Sequence, residues 1–479
     1  MQLMKGVQMM NKNKLLRRMI VCLLTVLMLV STLASCTSPQ TPPSQPADGG
    51  STQATQDDPG SGDTPQAGGD DGLTTDIVWA HFPWGFRGPY ETDVEWKDAM
   101  IAGFQATYPD VNITVEDIPW DNWQANIGAG IAAGMPPDLF AFGSWLALDY
   151  QDNLEPIDDW LGADLDDFAA AALDAGTFDG NAYAWPWFNQ GVNLVVNLDM
   201  ANEFGVQLPT NPEGDWSMDE FLAACEVYKQ NGVYAFPLHA LDAPINWAMM
   251  SIIGNFGGDI FDAERKWANM DTPESLKALE WMLEMQDDLQ YSPPGGAALD
   301  NFQAFEMFLL GELGMSINPG GMVAVGIADA VADGRIPEPF DVVHVQFPTV
   351  EGRNTTTTRI GPTGFVVFKQ QNDAVNRREA AMQFCKFLTS ADQQKFAAEN
   401  GLHVPVRKSL ADLYEVYPNF ISASRGRVFF NAQVEETVYL EDVMNLFQSV
   451  LSHSRTPAEA LANFDDVVNE KMQRIYDAG

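Results

Sequence analysis

The chain has 479 residues, 46% of them hydrophobic, and carries 66 acidic side chains against 26 basic ones for a formal net charge of −40. That length exceeds what one hydrophobic core sustains, so at least two lobes are expected. A surface this acidic repels phosphate backbones and anionic headgroups, which excludes nucleic-acid binding as a function class.

The first 35 residues read as an address. Lys5, Lys12, Lys14, Arg17 and Arg18 precede an apolar run from Met19 to Val30, and Leu33-Ala34-Ser35-Cys36 follows. A basic region, an apolar region and small residues before a cut site make a secretory signal peptide. The apolar run is shorter than the ~20 residues a membrane-spanning helix needs. Leu-Ala-Ser-Cys resembles the bacterial lipobox, which implies lipidation of Cys36 and a lipid anchor in the membrane. Residues 36–75 are Ser, Thr, Pro, Gln, Gly and Asp with almost nothing apolar. Such a segment has too little to bury and reads as a disordered tether.

The first strand signal is Thr75-Asp-Ile-Val-Trp-Ala80. The spacing of Trp96, Met100, Ile101 and Phe104 predicts a helix from about Glu91 to Tyr108. A strand at 111–115, a helix from about Asn122 to Ala133 and a strand at 138–142 come next. Strands alternating with helices predict parallel βαβ units and an α/β fold. Further helix starts are signalled by Ser217 with Glu220, by Thr272-Pro273, by Ser390 and by Thr456-Pro457. There is no internal repeat.

The sequence contains no GxSxG, HExxH, P-loop or dinucleotide fingerprint, so no catalysis is expected. The cysteines have neither CxxC nor zinc-ligand spacing, and Cys225 and Cys385 read as buried free thiols. The acidic stretch Asp158, Asp159, Asp164, Asp166 and Asp167 lacks EF-hand spacing and reads as a solvated face rather than a calcium site. No cofactor or metal is predicted.

Several segments, in order, resemble one family. Ile131-Ala-Ala-Gly-Met-Pro-Pro-Asp-Leu-Phe140 is similar to its "aaGxxPDv" segment, and Asn153-Leu-Glu-Pro-Ile-Asp-Asp159 to "GxLxPLdd". Phe178-Asp-Gly-Asn-Ala-Tyr-Ala-Trp-Pro186 with Val195-Val-Asn-Leu-Asp199 resembles "dGkxyglP…lxyNkd". Asp215-Trp-Ser-Met-Asp-Glu-Phe221 resembles "TWdEf", and Phe308-Leu-Leu-Gly-Glu-Leu-Gly-Met-Ser316 resembles "FxxGkaaM". Arg359-Ile-Gly-Pro-Thr-Gly364, Ala380–Leu388 and Val404-Pro405 resemble the return crossing and late helices. Asn197-Leu198-Asp199 departs from the pattern in lacking the usual lysine, and Leu313-Gly314-Met315 varies its small-residue pair. The family is that of the family 1 extracellular solute-binding proteins, the maltose-binding-protein-like receptors of ABC importers.

The resemblance implies a two-lobed periplasmic-binding-protein-like fold of type II. Lobe 1 spans 76–188 plus 364–402, lobe 2 spans 192–358 plus 410–479, and hinge crossings join them around a ligand cleft. It implies a monomer that captures a solute, delivers it to ABC permease subunits and catalyses nothing. Asp138 is expected to cap or position a strand edge near the cleft.

Ligands of open α/β sheets bind beyond the carboxyl ends of strands. Sugar sites combine aromatic faces with hydrogen-bonding side chains. Thirteen Trp, many in loops after strands, therefore point to a carbohydrate, expected to be an oligosaccharide. The candidate contacts are Trp84, Arg87, Trp123, Ser144, Trp145, Trp187, Asn189, Gln190, Asn246, Trp247, Asn318 and Arg359. Trp96, Trp216 and Trp281 lie on helical faces and read as core. His81 is either a contact or an exposed loop histidine, and Asp121 more readily caps a helix. The same fold binding a polyamine, a peptide or an osmolyte, or presenting its ligand to a sensor, is the alternative; a secreted carbohydrate-active enzyme is a remote one. A lipid-anchored receptor with a long tether suits the outer face of a Gram-positive cell.

Overall fold

The strand and helix signals condense into one mixed sheet and the helices that cover it. The structure, a computed structural model, describes residues 72–82, 89–90, 92–119, 123–210, 215–241, 247–350, 360–401, 403–416, 434–435 and 438–478. The main elements in chain order are β1 (Thr75–His81), α1 (Asp93–Gln105), β2 (Val111–Asp117), α2 (Trp123–Ala132), β3 (Leu139–Gly143) and β4 (Ala184–Asn197). Then come α3 (Met218–Gln230), α4 (Trp247–Phe256), α5 (Pro273–Leu283), α6 (Asn301–Leu309), β5 (Met315–Pro319) and α7 (Gly320–Ala332). The chain closes with β6 (Val342–Val345), β7 (Ile360–Val367), α8 (Ala374–Leu388), α9 (Ala391–Gly401), β8 (Val404–Pro405), α10 (Leu440–Leu451) and α11 (Pro457–Ala478).

The helix starts follow the expected chemistry. Ser217 and Glu220 form a reciprocal capping box on α3, and Thr272 accepts from the Ser275 N–H with Pro273 at the first helical position of α5. Thr456 and Glu459 bond each other reciprocally at the start of α11. Each cap satisfies amide donors that a helix N-terminus leaves unpaired. In α1, Trp96, Met100 and Phe104 are buried and Ile101 is half-buried, as a 3.6-residue period requires.

Among the described residues the sheet runs β8–β4–β7–β3–β1–β2, with β5 and β6 also paired to β4. β1 is parallel to β2 and β3, and β7 is antiparallel to β3 and β4. The 14-residue β4 is the spine. Its first half pairs with β7 and β8, and its second half pairs with β5 and β6.

Two separately packed cores share that strand. Trp185, Trp187 and Phe188 of β4 join Ile77, Trp79, Trp96 and Phe384 in one. Val192, Leu194 and Val196 join Phe221, Tyr228, Leu279 and Phe447 in the other. The change falls between Phe188 and Val192. Cys225 and Cys385 are buried free thiols in different cores, and burial pushes both well above the usual thiol range.

Asp138 requires a correction. It is buried, but it stands at the amino end of β3, opposite the end that leads to Ser144. Its carboxylate accepts from the Val78 N–H at 2.7 Å and pairs with Arg377 of α8 at 2.6 and 2.8 Å. It positions the β1 edge, as expected, and fastens helix to sheet, but at the end of β3 away from Ser144. The acidic stretch is also more than a solvated face. Asp164 and Asp167 both bond the Arg407 guanidinium, at 2.8 and 3.0 Å, and Asp158 accepts from the Ala182 N–H. No helix among the described residues is long and apolar enough to cross a membrane.

Candidate functional site

The carboxyl ends of β1 and β3 and the middle of β4 lie at one level of the sheet. Gly143, the last residue of β3, pairs with Thr363 of β7, and the neighbouring Pro362 pairs with Asn189 of β4. Ser144 follows Gly143 and opens a 3₁₀ segment with its Oγ beside Gly364 of β7, so Ser144, β7 and Asn189 of β4 form a row across the sheet. Four residues further along β4, Asn193 pairs with Asn318 of β5, about 13 Å from Asn189 at the rise of an extended strand. Alternation places Asn189 and Asn193 on one face. Val195 shares that face and packs against α6 and α7.

Three of the expected contacts lie on or beside the shared strand, and each has unmet hydrogen-bonding capacity. Ser144 and Asn318 are each 1% exposed, and Asn189 is half-buried. Ser144 Oγ, Asn189 Oδ1 and Asn318 Oδ1 are enclosed atoms without a hydrogen-bond partner. Asn318 is held in place by donating from Nδ2 to Ser316 Oγ at 2.6 Å. A buried polar atom left unpaired costs about 1–3 kcal/mol, and native structures retain such atoms chiefly where something else satisfies them. Among the described residues the row carries no charge.

Trp123 and Trp187 are corrections. Trp123 is 5% exposed and packs among Phe82, Phe140 and Phe142. Trp187 is 1% exposed and lies 4.7 Å from the Phe365 ring. The β4–β7 register slips there: Phe188 faces Thr363 and Pro186 faces Gly364, leaving Trp187 as the extra residue of a bulge. The bulge lets Trp187 and Phe188 both enter the same core. Neither indole has an open face for a ligand. Trp96, Trp216 and Trp281 pack in the cores as expected.

Trp145 is the second residue of the 3₁₀ segment Ser144–Asn153, Gln190 lies in β4 and Trp247 begins α4. Trp84, Arg87, Asn246 and Arg359 lie outside the described residues, as do Asp121 and Cys36.

His81 is neither exposed nor in a loop. It ends β1 at 1% exposure, and its Nε2 lies 3.1 Å from Asp93 at the start of α1. Burial lowers its pKa, against the opposing pull of Asp93. His81, Asp93 and Asp117 converge as three potential metal ligands. The ammonium of buried Lys97 is bonded to Asp117 and lies 3.3 Å from Asp93, so the protein's own cation occupies that place.

Two polar residues of this region were not anticipated. Asn193 is 1% exposed, and His344 of β6 has an enclosed Nδ1 without a partner. Each is a polar residue with apolar neighbours on both sides, Val-Asn-Leu and Val-His-Val, which is the signal that could have found them.

Comparison with known proteins places this architecture. The bacterial extracellular solute-binding proteins, taken as a family, match residues 88–395. A binding protein of Brucella abortus (strain 2308) is 23% identical over 331 residues, covering 68% of this chain and 74% of the relative. A maltotriose-binding protein of Pyrococcus abyssi (strain GE5 / Orsay) is 28% identical over 192 residues, 39% of either chain. An ABC substrate-binding protein from Listeria monocytogenes, solved in complex with cycloalternan, superposes with a TM-score of 0.65 at 20% identity, over 84% of this chain and 99% of that one. At that identity the likeness establishes the two-lobed fold.

Proposed function

The chain belongs to the family of bacterial extracellular solute-binding proteins, and from that premise we propose that it captures a neutral carbohydrate, an oligosaccharide by preference, and delivers it to an ABC permease without altering it. The observation that carries this reading is the uncharged row on the shared strand. Ser144 Oγ, Asn189 Oδ1 and Asn318 Oδ1 are enclosed and unpaired. Two are pure acceptors and the third is a hydroxyl, so the ligand that satisfies them presents donors without requiring a counter-charge. Sugar hydroxyls do so. The relatives named for maltotriose and solved with cycloalternan support the same class.

The ligand holds the lobes together by binding the closed arrangement more tightly than the open one. Trp84, Arg87, Trp145, Gln190, Asn246, Trp247 and Arg359 complete the contact set in this reading, and the lobes divide at 76–188 plus 364–402 and 192–358 plus 410–479. Cleavage before Cys36 removes five positive charges, and acyl chains on that thiol tether the receptor, as a monomer, to the outer face of the membrane.

The test is thermal unfolding of the chain across neutral oligosaccharides, polyamines and peptides. A ligand at 100 times its Kd adds ~2.7 kcal/mol of stability. The reading expects an oligosaccharide to raise the melting temperature and to be recovered intact. A shift from a polyamine or peptide alone defeats the sugar assignment, and consumption of the sugar defeats the receptor assignment.

A further inference from the structure

Away from the strand row, a groove of about 830 Å³ runs along α10, bounded by α11 and by the segment around Ala297. That volume lies within the ~300–1,000 Å³ typical of small-molecule sites. Residues 445, 448 and 449 recur at helical spacing on one face of α10, with Ser452 just past its end, and 460, 463, 464 and 467 do so on α11. The two helices turn these faces into the same space while Val443, Phe447, Leu461 and Val468 pack the core behind them.

The lining has a particular chemistry. The amides of Asn445, Gln448 and Asn463 face the groove, whose base is closed by the buried Leu446 and Phe464. None of the three amides appears in any hydrogen bond among the described residues. The carboxylate at the edge, Asp442, is already bonded to Lys471 at 2.6 Å. Arg455, at the other end, has Glu459 as its electrostatic neighbour. In a chain with a net charge of −40, the groove is locally balanced.

We propose that this groove is a second ligand site, distinct from the strand row, that takes a short neutral saccharide. Each side-chain amide offers donor and acceptor together, as each sugar hydroxyl does. Leu241, 43% exposed in the lining, offers an apolar surface to the C–H face of a pyranose ring. A polyanion or polycation finds no unpaired partner of opposite sign deep in the groove. The site contains no residue of β3, β4, β5 or β7, so it goes beyond the function proposed above and does not depend on it.

The experiment is calorimetric titration of the full-length chain with maltotriose and, separately, triacetylchitotriose. Three proteins are compared: the wild type, the pair Gln448→Ala with Asn463→Ala, and Asn318→Leu. With at least one probe the wild type is expected to bind in two steps. The groove pair weakens one step about tenfold, as the loss of two hydrogen bonds implies, at unchanged melting temperature, and Asn318→Leu leaves that step intact. A stoichiometry of one, a single step weakened by both sets of substitutions, or two steps that both ignore the groove pair each overturn the proposal. If the groove pair removes one step and Asn318→Leu affects neither, the groove stands and the placement of the first site on the strand row falls.

Discussion

Arg407→Met tests how the segment after β8 is fastened to the Asp164–Asp167 turn. Arg407 is 5% exposed. Its Nη1 bonds Asp164 at 2.8 Å and Asp167 at 3.0 Å, and its Nε donates to the Thr389 carbonyl at 2.8 Å. The guanidinium carbon lies 4.2 Å from the centre of the Phe168 ring. Methionine keeps an aliphatic stem over that ring and removes only the charge and its donors. Breaking a buried pair from one side costs about 3–5 kcal/mol. Here the two carboxylate side chains are 22% and 26% exposed and regain water, and the Thr389 carbonyl still accepts from Gln394 at 3.1 Å. The loss is therefore placed at the low end, about 3 kcal/mol. Burial works to raise the Asp167 pKa, but the Ser409 N–H and the Arg407 guanidinium outweigh it and hold the carboxyl below its usual range. A carboxylate with a depressed folded pKa contributes stability that is present above its unfolded pKa and lost as pH falls through the folded one. The gap between wild type and variant therefore narrows below about pH 4. Urea unfolding followed by tryptophan fluorescence at pH 7 and pH 3.5 reads both quantities. A difference under about 1 kcal/mol at pH 7, the value of an ordinary surface pair, refutes the argument, as does a gap that widens on acidification.

Two other perturbations follow from the same geometry. Burial pushes the His344 pKa down to about 4. As pH falls below 6.5 the unfolded chain takes up a proton that the folded chain refuses, so stability drops between pH 6.5 and 4 by about 3 kcal/mol. His344→Gln should remove that portion of the pH dependence, and an unchanged profile contradicts the assignment. Gly364→Ala puts a Cβ 2.7 Å from the Trp185 carbonyl oxygen and 2.9 Å from Ser144 Oγ, an overpacking that costs about 1–3 kcal/mol. The control is Gly128→Ala in α2, which meets nothing within 4 Å and should stabilise by about 0.5–1 kcal/mol. Equal midpoints in urea would show that the Gly364 backbone has room the geometry denies it.

Much of the fold was legible because local signals act locally. The caps at Ser217, Thr272 and Thr456 and the 3.6-residue recurrence of Trp96, Met100 and Phe104 concern side chains within one turn of each other. Ser144, Asn189 and Asn318 stand out in the sequence for a different reason: each is a polar residue at a strand end or crossing, and the structure encloses an unpaired oxygen on each. Trp187 misled because a one-residue bulge, set by the partner strand β7, turned it into the core. Asp138 misled because its partner Arg377 lies 239 residues away. The His81–Asp93–Lys97–Asp117 cluster was illegible for the same reason, since β1, α1 and β2 meet only when the sheet forms. The α10–α11 groove carries no motif; it exists because two amphipathic helices each have a second, polar face.

Calorimetric titration of the full-length chain with the oligosaccharide that most raises its melting temperature, wild type against Ser144→Ala combined with Asn318→Leu, tests the central claim most directly. The account predicts that the wild type binds and returns the sugar unchanged, and that the double variant still folds, the loss of two unpaired buried atoms offsetting the Ser316 hydroxyl that is left without its Asn318 partner. It also predicts that the variant's affinity for the strand-row step falls at least about tenfold. A double variant that binds every neutral oligosaccharide as tightly as the wild type would contradict the placement of the sugar on the shared strand.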